Sequence, residues 1–375
     1  MDLAALHHDV VFGSSGGKII WQPRIGCWYS DKRFAGEALP EPYTGKSIPE
    51  IYRELGCSAR LYGWYNRCFV YEEDPSVRVV SVSLNETDTE TRIETPVGVQ
   101  RAVDRTSPNS PRKIRLKWPI SDRSELKVAI WRTERGNWKW DQNRYDEARA
   151  EVGDLGAATA YLPRVNVQDL YINAMGVEAA VYALADYPDT VEAYFQAMDE
   201  NHDRLIDITC SSSIDIINYG DNLHAGTLPP YLYERYVQPA YLRRGSKLHA
   251  AGKFVHSHWD GDTAPLLQFA QTSSLDGIEA ITPKPQGDVT LQQVKDALGD
   301  QVFLIDGLPA VYFDDYYSVG QLEDCVHELI ELFAPKLVLG ISDELSSTGD
   351  IERVRRVGEI VEDYNARQDA GAGSR

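Results

Sequence analysis

The chain has 375 residues, 43% of them hydrophobic, and a formal net charge of −19 at pH 7. It is longer than an ordinary small domain, but α/β barrels reach this length as one unit. The acidity argues against nucleic acid as a partner, because a phosphate backbone would be repelled, and no apolar run approaches the roughly 18 residues that span a bilayer.

The N-terminal residues lack the basic and apolar regions of a secretory leader. The five cysteines, Cys27, Cys57, Cys68, Cys210 and Cys325, are scattered and form no CxxC pair. Reduced thiols in a cytoplasmic protein are therefore expected.

Residues 1–18 read as an N-terminal helix or arm ending in Gly13-Ser-Ser-Gly-Gly17. Ile19-Ile-Trp-Gln-Pro-Arg-Ile25 reads as the first strand, emptying into an aromatic loop, Gly26-Cys-Trp-Tyr-Ser-Asp-Lys32. Ser47-Ile-Pro-Glu50 opens a helix that runs to Gly56, with Ser47 as N-cap, Pro49 in the first turn and Glu50 at the capping-box position. Over 76–114 polar and β-branched residues alternate between turns, which predicts an antiparallel meander inserted on one rim. The basic, aromatic stretch Trp131–Trp140 reads as a surface cover. From Ala157 onward strands and helices alternate. Strands are expected at 157–161, 214–219, 253–257, 277–281, 302–305 and 337–341, and helices at 177–185, 188–210 and 232–251. Such alternation implies parallel strands. With the earlier ones about eight can be counted, so the predicted fold is α/β, a (β/α)8 TIM barrel. It would form one domain over 1–365, with an N-terminal extension and the β insertion, followed by a flexible tail at 366–375. A doubly wound open sheet is the alternative.

The densest chemistry lies in Lys253-Phe-Val-His-Ser-His-Trp-Asp-Gly-Asp-Thr-Ala-Pro265. Its His256, His258, Asp260 and Asp262 can converge on a proton or a metal. A polar loop with a helix N-cap at Asp262 or Thr263 is the plainer reading. In a barrel the C-terminal strand ends share one face. That face would gather Arg24, Tyr161, Arg164, Tyr219, Asp221, Asn222 and His224, then His256, His258, Asp260, Glu279, Asp306, Ser342, Asp343 and Glu344. Acids, histidines and tyrosines together suit a divalent metal or acid–base chemistry. No Gly-rich phosphate loop and no GxSxG elbow occurs, which leaves nucleotide binding and serine hydrolysis without support. Arg24 reads as an anion anchor or as an ordinary salt bridge.

His258-Trp-Asp-Gly-Asp-Thr-Ala-Pro265 is similar to the His-x-Cys-Gly-Asp-Thr-x-Pro segment of methyltransferases that act with methyl corrinoids. With Gly220-Asp-Asn222, Asp306-Gly-Leu-Pro309 and Gly340-Ile-Ser-Asp-Glu-Leu345, it makes the chain resemble the uroporphyrinogen decarboxylase superfamily in its cobalamin-dependent methyltransferase branch. The resemblance covers most of 150–360 and, more faintly, 19–60. It implies His258 and Asp260 as the first two ligands of a zinc ion and Asp343 or Glu344 as the third, with His256 outside the pair. Acids replace both cysteine ligands of the family, a harder donor set than a thiol acceptor favours. The arginine-rich signature of the decarboxylases is absent, and Trp21-Gln-Pro-Arg-Ile25 stands in its place.

The resemblance further implies an O-demethylase component. It would move a methyl group from a methoxylated small molecule, aromatic rings included, to cob(I)alamin carried on a partner corrinoid protein. His256, Glu279 and Asp221 are then the expected catalytic groups. Arg24, Trp28, Tyr29, Tyr161, Tyr219, Asn222 and Asp306 are expected against the substrate, and His258, Asp260, Asp343 and Glu344 around zinc. No membrane contact is expected, and a homodimer is compatible. The alternative is a cofactor-independent decarboxylase whose small carboxylated substrate is held by Arg24 or Arg164. A third reading is a non-catalytic scaffold for a corrinoid protein.

Overall fold

The computed structural model describes residues 2–60 and 62–372. The chain opens with the helix Leu3–Val11, whose first turn is capped by Asp2 accepting the Ala5 N–H. β1 (Ile20–Trp21) follows. The aromatic stretch expected as a loop is instead a helix, Gly26–Ala35. Lys32 and Arg33 in its last turn face the negative end of the helix dipole, and Gly36 ends it in the left-handed conformation (φ 71°). The helix Ile48–Leu55 forms with the expected capping box, Glu50 accepting the Ser47 N–H at 2.7 Å.

After β2 (Phe69–Glu72) comes the insertion, an antiparallel meander of β3 (Arg78–Ser83), β4 (Asp88–Thr95), β5 (Gly98–Ser107) and β6 (Ser110–Lys117). It runs to Lys117 rather than to 114. The helix Arg123–Arg135 then leads to β7 (Asn137–Trp140), which pairs antiparallel with β2.

The remaining strands are β8 (Thr159–Leu162), β9 (Ile216–Leu223), β10 (Phe254–Trp259), β11 (Gly277–Glu279), β12 (Phe303–Pro309) and β13 (Leu337–Ser342). With β1 they form one parallel sheet of seven strands in the order β1-β13-β12-β11-β10-β9-β8. This is a TIM-like arrangement with one stave fewer than the eight expected. No ladder joins β1 to β8 among the described residues. In the gap, the Ser58 N–H donates to the Trp21 carbonyl at 2.9 Å and the Ala59 N–H to the Leu155 carbonyl at 2.8 Å. Residues 57–60 thus stand where a further strand would, without a regular ladder of their own.

Helices cover the outside of this sheet, the longest being Pro188–Ser211 and Ile351–Ala372. The latter carries residues 366–372, expected as a loose tail, as continuous helix, and residues 373–375 lie outside the described part. After β10 a short 3-10 turn, Ala264–Phe269, takes the place of a full helix. Asp288 accepts the N–H groups of Thr263 (3.0 Å) and Ala264, so the expected N-cap at Asp262 or Thr263 is replaced by an acid from further along the chain. Inside the sheet, the end near the strand N-termini is filled by Ile20, Ile216, Phe254, Phe303, Ile305 and Val338. Val10 and Val11 of the N-terminal helix close it from below. All five cysteines are free thiols, and no helix among the described residues is long and apolar enough to cross a membrane.

Candidate active site

All six residues of β10 are buried. Side chains alternate along a strand, so Phe254, His256 and His258 share the interior face. Ser257 and Trp259 face the helices, where Ser257 meets the Tyr241 hydroxyl at 2.7 Å and Trp259 packs edge-on against Tyr233.

The two histidines converge on Glu279 at the end of β11. His256 Nδ1 lies 3.8 Å and His258 Nδ1 3.5 Å from Glu279 Oε2. Glu279 Oε1 accepts hydrogen bonds from Arg60 Nη1 at 2.6 Å, the Tyr62 hydroxyl at 3.1 Å and the Tyr161 hydroxyl at 3.2 Å. Asn218 Nδ2 donates to Oε2. Tyr161 on β8 thereby reaches β11 across the concave face, so the sheet curls around its own interior. Arg60 also binds Asp306, with Nη1 2.9 Å from Oδ2 and Nη2 2.7 Å from Oδ1. Gln22 accepts from Arg60 Nε at 3.0 Å, and its amide nitrogen reaches His7 and Ser58.

These contacts decide the charge states. Burial alone would raise Glu279, but Arg60, then His258 and His256, outweigh it and hold the carboxyl well below the usual range. Burial pushes Asp306 up, to about 6, against the pull of Arg60. Burial lowers His256 to about 4, with Arg60 and His258 adding to the effect and Glu279 opposing it. At neutral pH Glu279 is therefore ionised and His256 uncharged.

Several residues at the strand ends adopt positive φ without being glycine: Asn222 (51°), Ala280 (68°), Asp306 (79°) and Asp343 (69°). L-residues avoid this region, and such strain concentrates at functional sites. For Asp306 the consequence is direct. Its neighbour Ile305 packs in the interior, so regular alternation would aim Asp306 at the helices. The left-handed turn redirects its carboxylate to Arg60. Gly340 on β13 leaves the room, because a Cβ there would collide with Asp306 Oδ1.

His258, Asp260 and Asp343 each offer a ligand atom, and these atoms lie within 4.8 Å of one another. His258 Nδ1 faces Glu279, while Nε2 points toward Asp343, 3.9 Å from Oδ1. With a carboxylate beside one imidazole nitrogen, the other nitrogen is the one placed to serve as a ligand. One nitrogen and two carboxylates suit a divalent ion with positions left open for substrate. Glu344, the alternative to Asp343 as third ligand, is engaged elsewhere: Oε1 pairs with Arg24 Nη2 at 3.3 Å and Oε2 accepts the Cys27 N–H at 3.2 Å.

Of the other expected residues, Arg24 and Tyr161 belong to this cluster, with Arg24 Nη1 3.2 Å from Asp343 and 3.9 Å from Glu279. Asp306 joins it through Arg60, as a buried pair rather than an open substrate contact. The rest stand apart. Trp28 is 1% exposed and packs edge-on against Tyr43, a core position. Tyr29 receives the Arg33 guanidinium at 2.6 Å on the helix surface. Tyr219 stacks on Tyr241 outside the sheet, because its neighbour Asn218 takes the interior position. Asp221 accepts the Val165 N–H at 2.7 Å and the Tyr241 hydroxyl, a structural post away from Glu279. Asn222 accepts from Arg164 at 3.2 Å. Sequence reasoning missed Gln22, Arg60, Tyr62 and Asn218. A polar residue inside the apolar run Ile216-Ile-Asn-Tyr219 was the available sign for Asn218. Arg60 had none, since no strand pattern surrounds it.

No protein-family model and no curated protein matches the sequence. A solved methyltransferase from Methanosarcina mazei superposes with a TM-score of 0.57 over 95% of this chain and 97% of its own, at 12% identity. At that identity the likeness establishes a shared fold. A 3-dehydroquinate dehydratase from Geobacillus kaustophilus HTA426 matches at a TM-score of 0.31 and 14% identity, over 65% of this chain and 88% of its own. That score is below the level at which a common fold is inferred.

Proposed function

We propose that the chain is a corrinoid-dependent methyltransferase, an O-demethylase component that passes a methyl group from a methoxylated small molecule to cob(I)alamin on a partner corrinoid protein. The observation that carries this reading is the charge distribution around Glu279. An ether oxygen leaves readily only if it is protonated or polarised as the C–O bond breaks. With Glu279 held ionised and His256 held neutral, neither is a competent acid at neutral pH. His258, Asp260 and Asp343 would instead hold a divalent ion, zinc being the candidate, which supplies Lewis-acid pull on that oxygen when bound. Glu279 then serves as the carboxylate facing His258 Nδ1, with Nε2 turned toward Asp343. Tyr62 and Tyr161, kept protonated chiefly by burial, hold Glu279 in place. Co(I) is itself a strong nucleophile, so no side chain has to provide one. The His258–Pro265 motif and the fold shared with a protein named a methyltransferase support the same reading.

Anaerobic incubation with cob(I)alamin and a panel of methoxylated donors tests it. Methylcobalamin is expected with at least one donor, and its rate of appearance should fall about 100-fold in Asp343→Asn. No methylcobalamin with any donor would overturn the proposal. In the decarboxylase alternative Arg164, which hydrogen-bonds Asn222 and whose charge also acts on the buried Asp169 and Asp221, would hold the substrate carboxylate. Carbon dioxide release without cobalamin would establish that alternative.

A further inference from the structure

Arg24 follows β1 into a ring of acids. Nη1 lies 3.2 Å from Asp343 Oδ1 and 3.9 Å from Glu279 Oε1, and Nη2 lies 3.3 Å from Glu344 Oε1. Asp343 is also the member of the His258–Asp260–Asp343 group that pairs with this arginine. One carboxylate therefore faces two claimants, the guanidinium already beside it and any divalent ion drawn to the three donors. The two cannot share it at full strength, because like charges a few ångströms apart repel strongly in a partly buried setting.

We propose that Arg24 is the internal counter-cation of this metal site, holding Asp343 in the metal-free protein and transferring to Glu344 and Glu279 when a divalent ion takes Asp343. This inference rests on the metal reading of the cluster. The exchange needs little movement. Nη2 is already on Glu344, and Glu279 Oε1 stands within reach of Nη1. The Leu345 N–H donates to the Arg24 carbonyl at 2.8 Å, which ties the loop carrying Asp343 to the backbone of Arg24. The side chain can thus change partner while both backbones stay in place. Arg24 tunes the site in two ways: it weakens metal binding below what the three donors alone would give, and it adds a second guanidinium to Glu279 once the ion is in place.

Titration with Mn(II), followed by the electron paramagnetic resonance signal of the free ion, tests the proposal on the isolated full-length protein. Arg24→Met should bind Mn(II) about tenfold more tightly than the unaltered chain. Glu344→Gln, which removes the acceptor for the displaced guanidinium, should bind more weakly. Asp343→Asn should lose binding both in the unaltered chain and combined with Arg24→Met. Arg24→Lys keeps the charge with one nitrogen and should fall between, which preserves the test if Arg24→Met does not fold. Unchanged or weaker affinity in both Arg24 variants would overturn the proposal, as would absence of Mn(II) binding by every protein. No methyl donor or corrinoid enters this titration, so its failure is separable from failure of methyl transfer.

Discussion

The concave face of the parallel sheet carries two unlike fillings on the same strands. Toward the strand N-termini, Ile216, Phe254, Phe303 and Ile305 pack with Val10 and Val11 of the first helix. One or two alternations further along, the same strands present Asn218, His256 and His258, beside Glu279 of β11. Burial does not distinguish the two layers: Phe254 is 4% exposed, His256 3% and Glu279 0%. Their contributions to folding differ in kind. The lower layer gains stability simply by leaving water. The upper layer loses hydration on burial and holds only because each charge meets a counter-charge or a hydrogen-bond donor. Groups kept at such cost on the side where loops converge are the part of the molecule that chemistry, rather than folding, requires.

The largest effect is expected where that neutralisation is broken. Arg60→Met would leave Glu279 and Asp306 facing each other without their shared cation, at a cost of about 4 kcal/mol or more in urea unfolding. The lower layer answers differently. Phe254→Ala opens an apolar hole and should cost about 3 kcal/mol, yet Mn(II) binding by that variant should match the unaltered chain. A large loss of Mn(II) affinity in Phe254→Ala would break the separation of the two layers.

The lower layer was far more legible in the sequence than the upper one. Strands from β8 onward announce themselves as short apolar runs between helical patterns, and the interior filling follows from those runs. His258, Asp260 and Asp343 stood out because a motif and the strand ends frame them. Arg60 did not, because its value depends on Glu279 and Asp306, far away in the chain, and its own segment, Ser58-Ala-Arg60, carries no periodic signal. Tyr219 is expected against the substrate because aromatic residues suggest ligand contact, and Asn218 is not singled out. The register of β9 decides otherwise, since a one-residue step along a strand exchanges interior for exterior. The helix Gly26–Ala35 was hidden by an aromatic, glycine-led stretch whose apolar residues lack a clear 3.6-residue rhythm.

The smallest effect is the sharpest test of how the upper layer is balanced, because its parts respond to pH in opposite senses. His256 titrates at about 4 in the folded chain against an ordinary 6.5, and the equally buried His7 at about 3. A depressed pKa means stability that is present above 6.5 and lost as pH falls through the folded value. Asp306 is raised from 3.8 to about 6. Its contribution is present below 3.8 and lost as pH rises through 6. Between these limits the two histidines favour the upper end and Asp306 the lower, so the unaltered protein should lose stability toward acid, but less steeply than the histidines alone would dictate. Single substitutions expose each side. The stability of His256→Gln relative to the parent should increase as pH falls from 6.5 toward 4, with His7 retaining its own share of acid sensitivity. The relative stability of Asp306→Asn should instead increase as pH rises through 6. Urea midpoints measured across this range for the three proteins would read both slopes. Two slopes of the same sign would mean that the ionic layer is not balanced by its own members, and that the contrast with the apolar layer beneath it lies elsewhere.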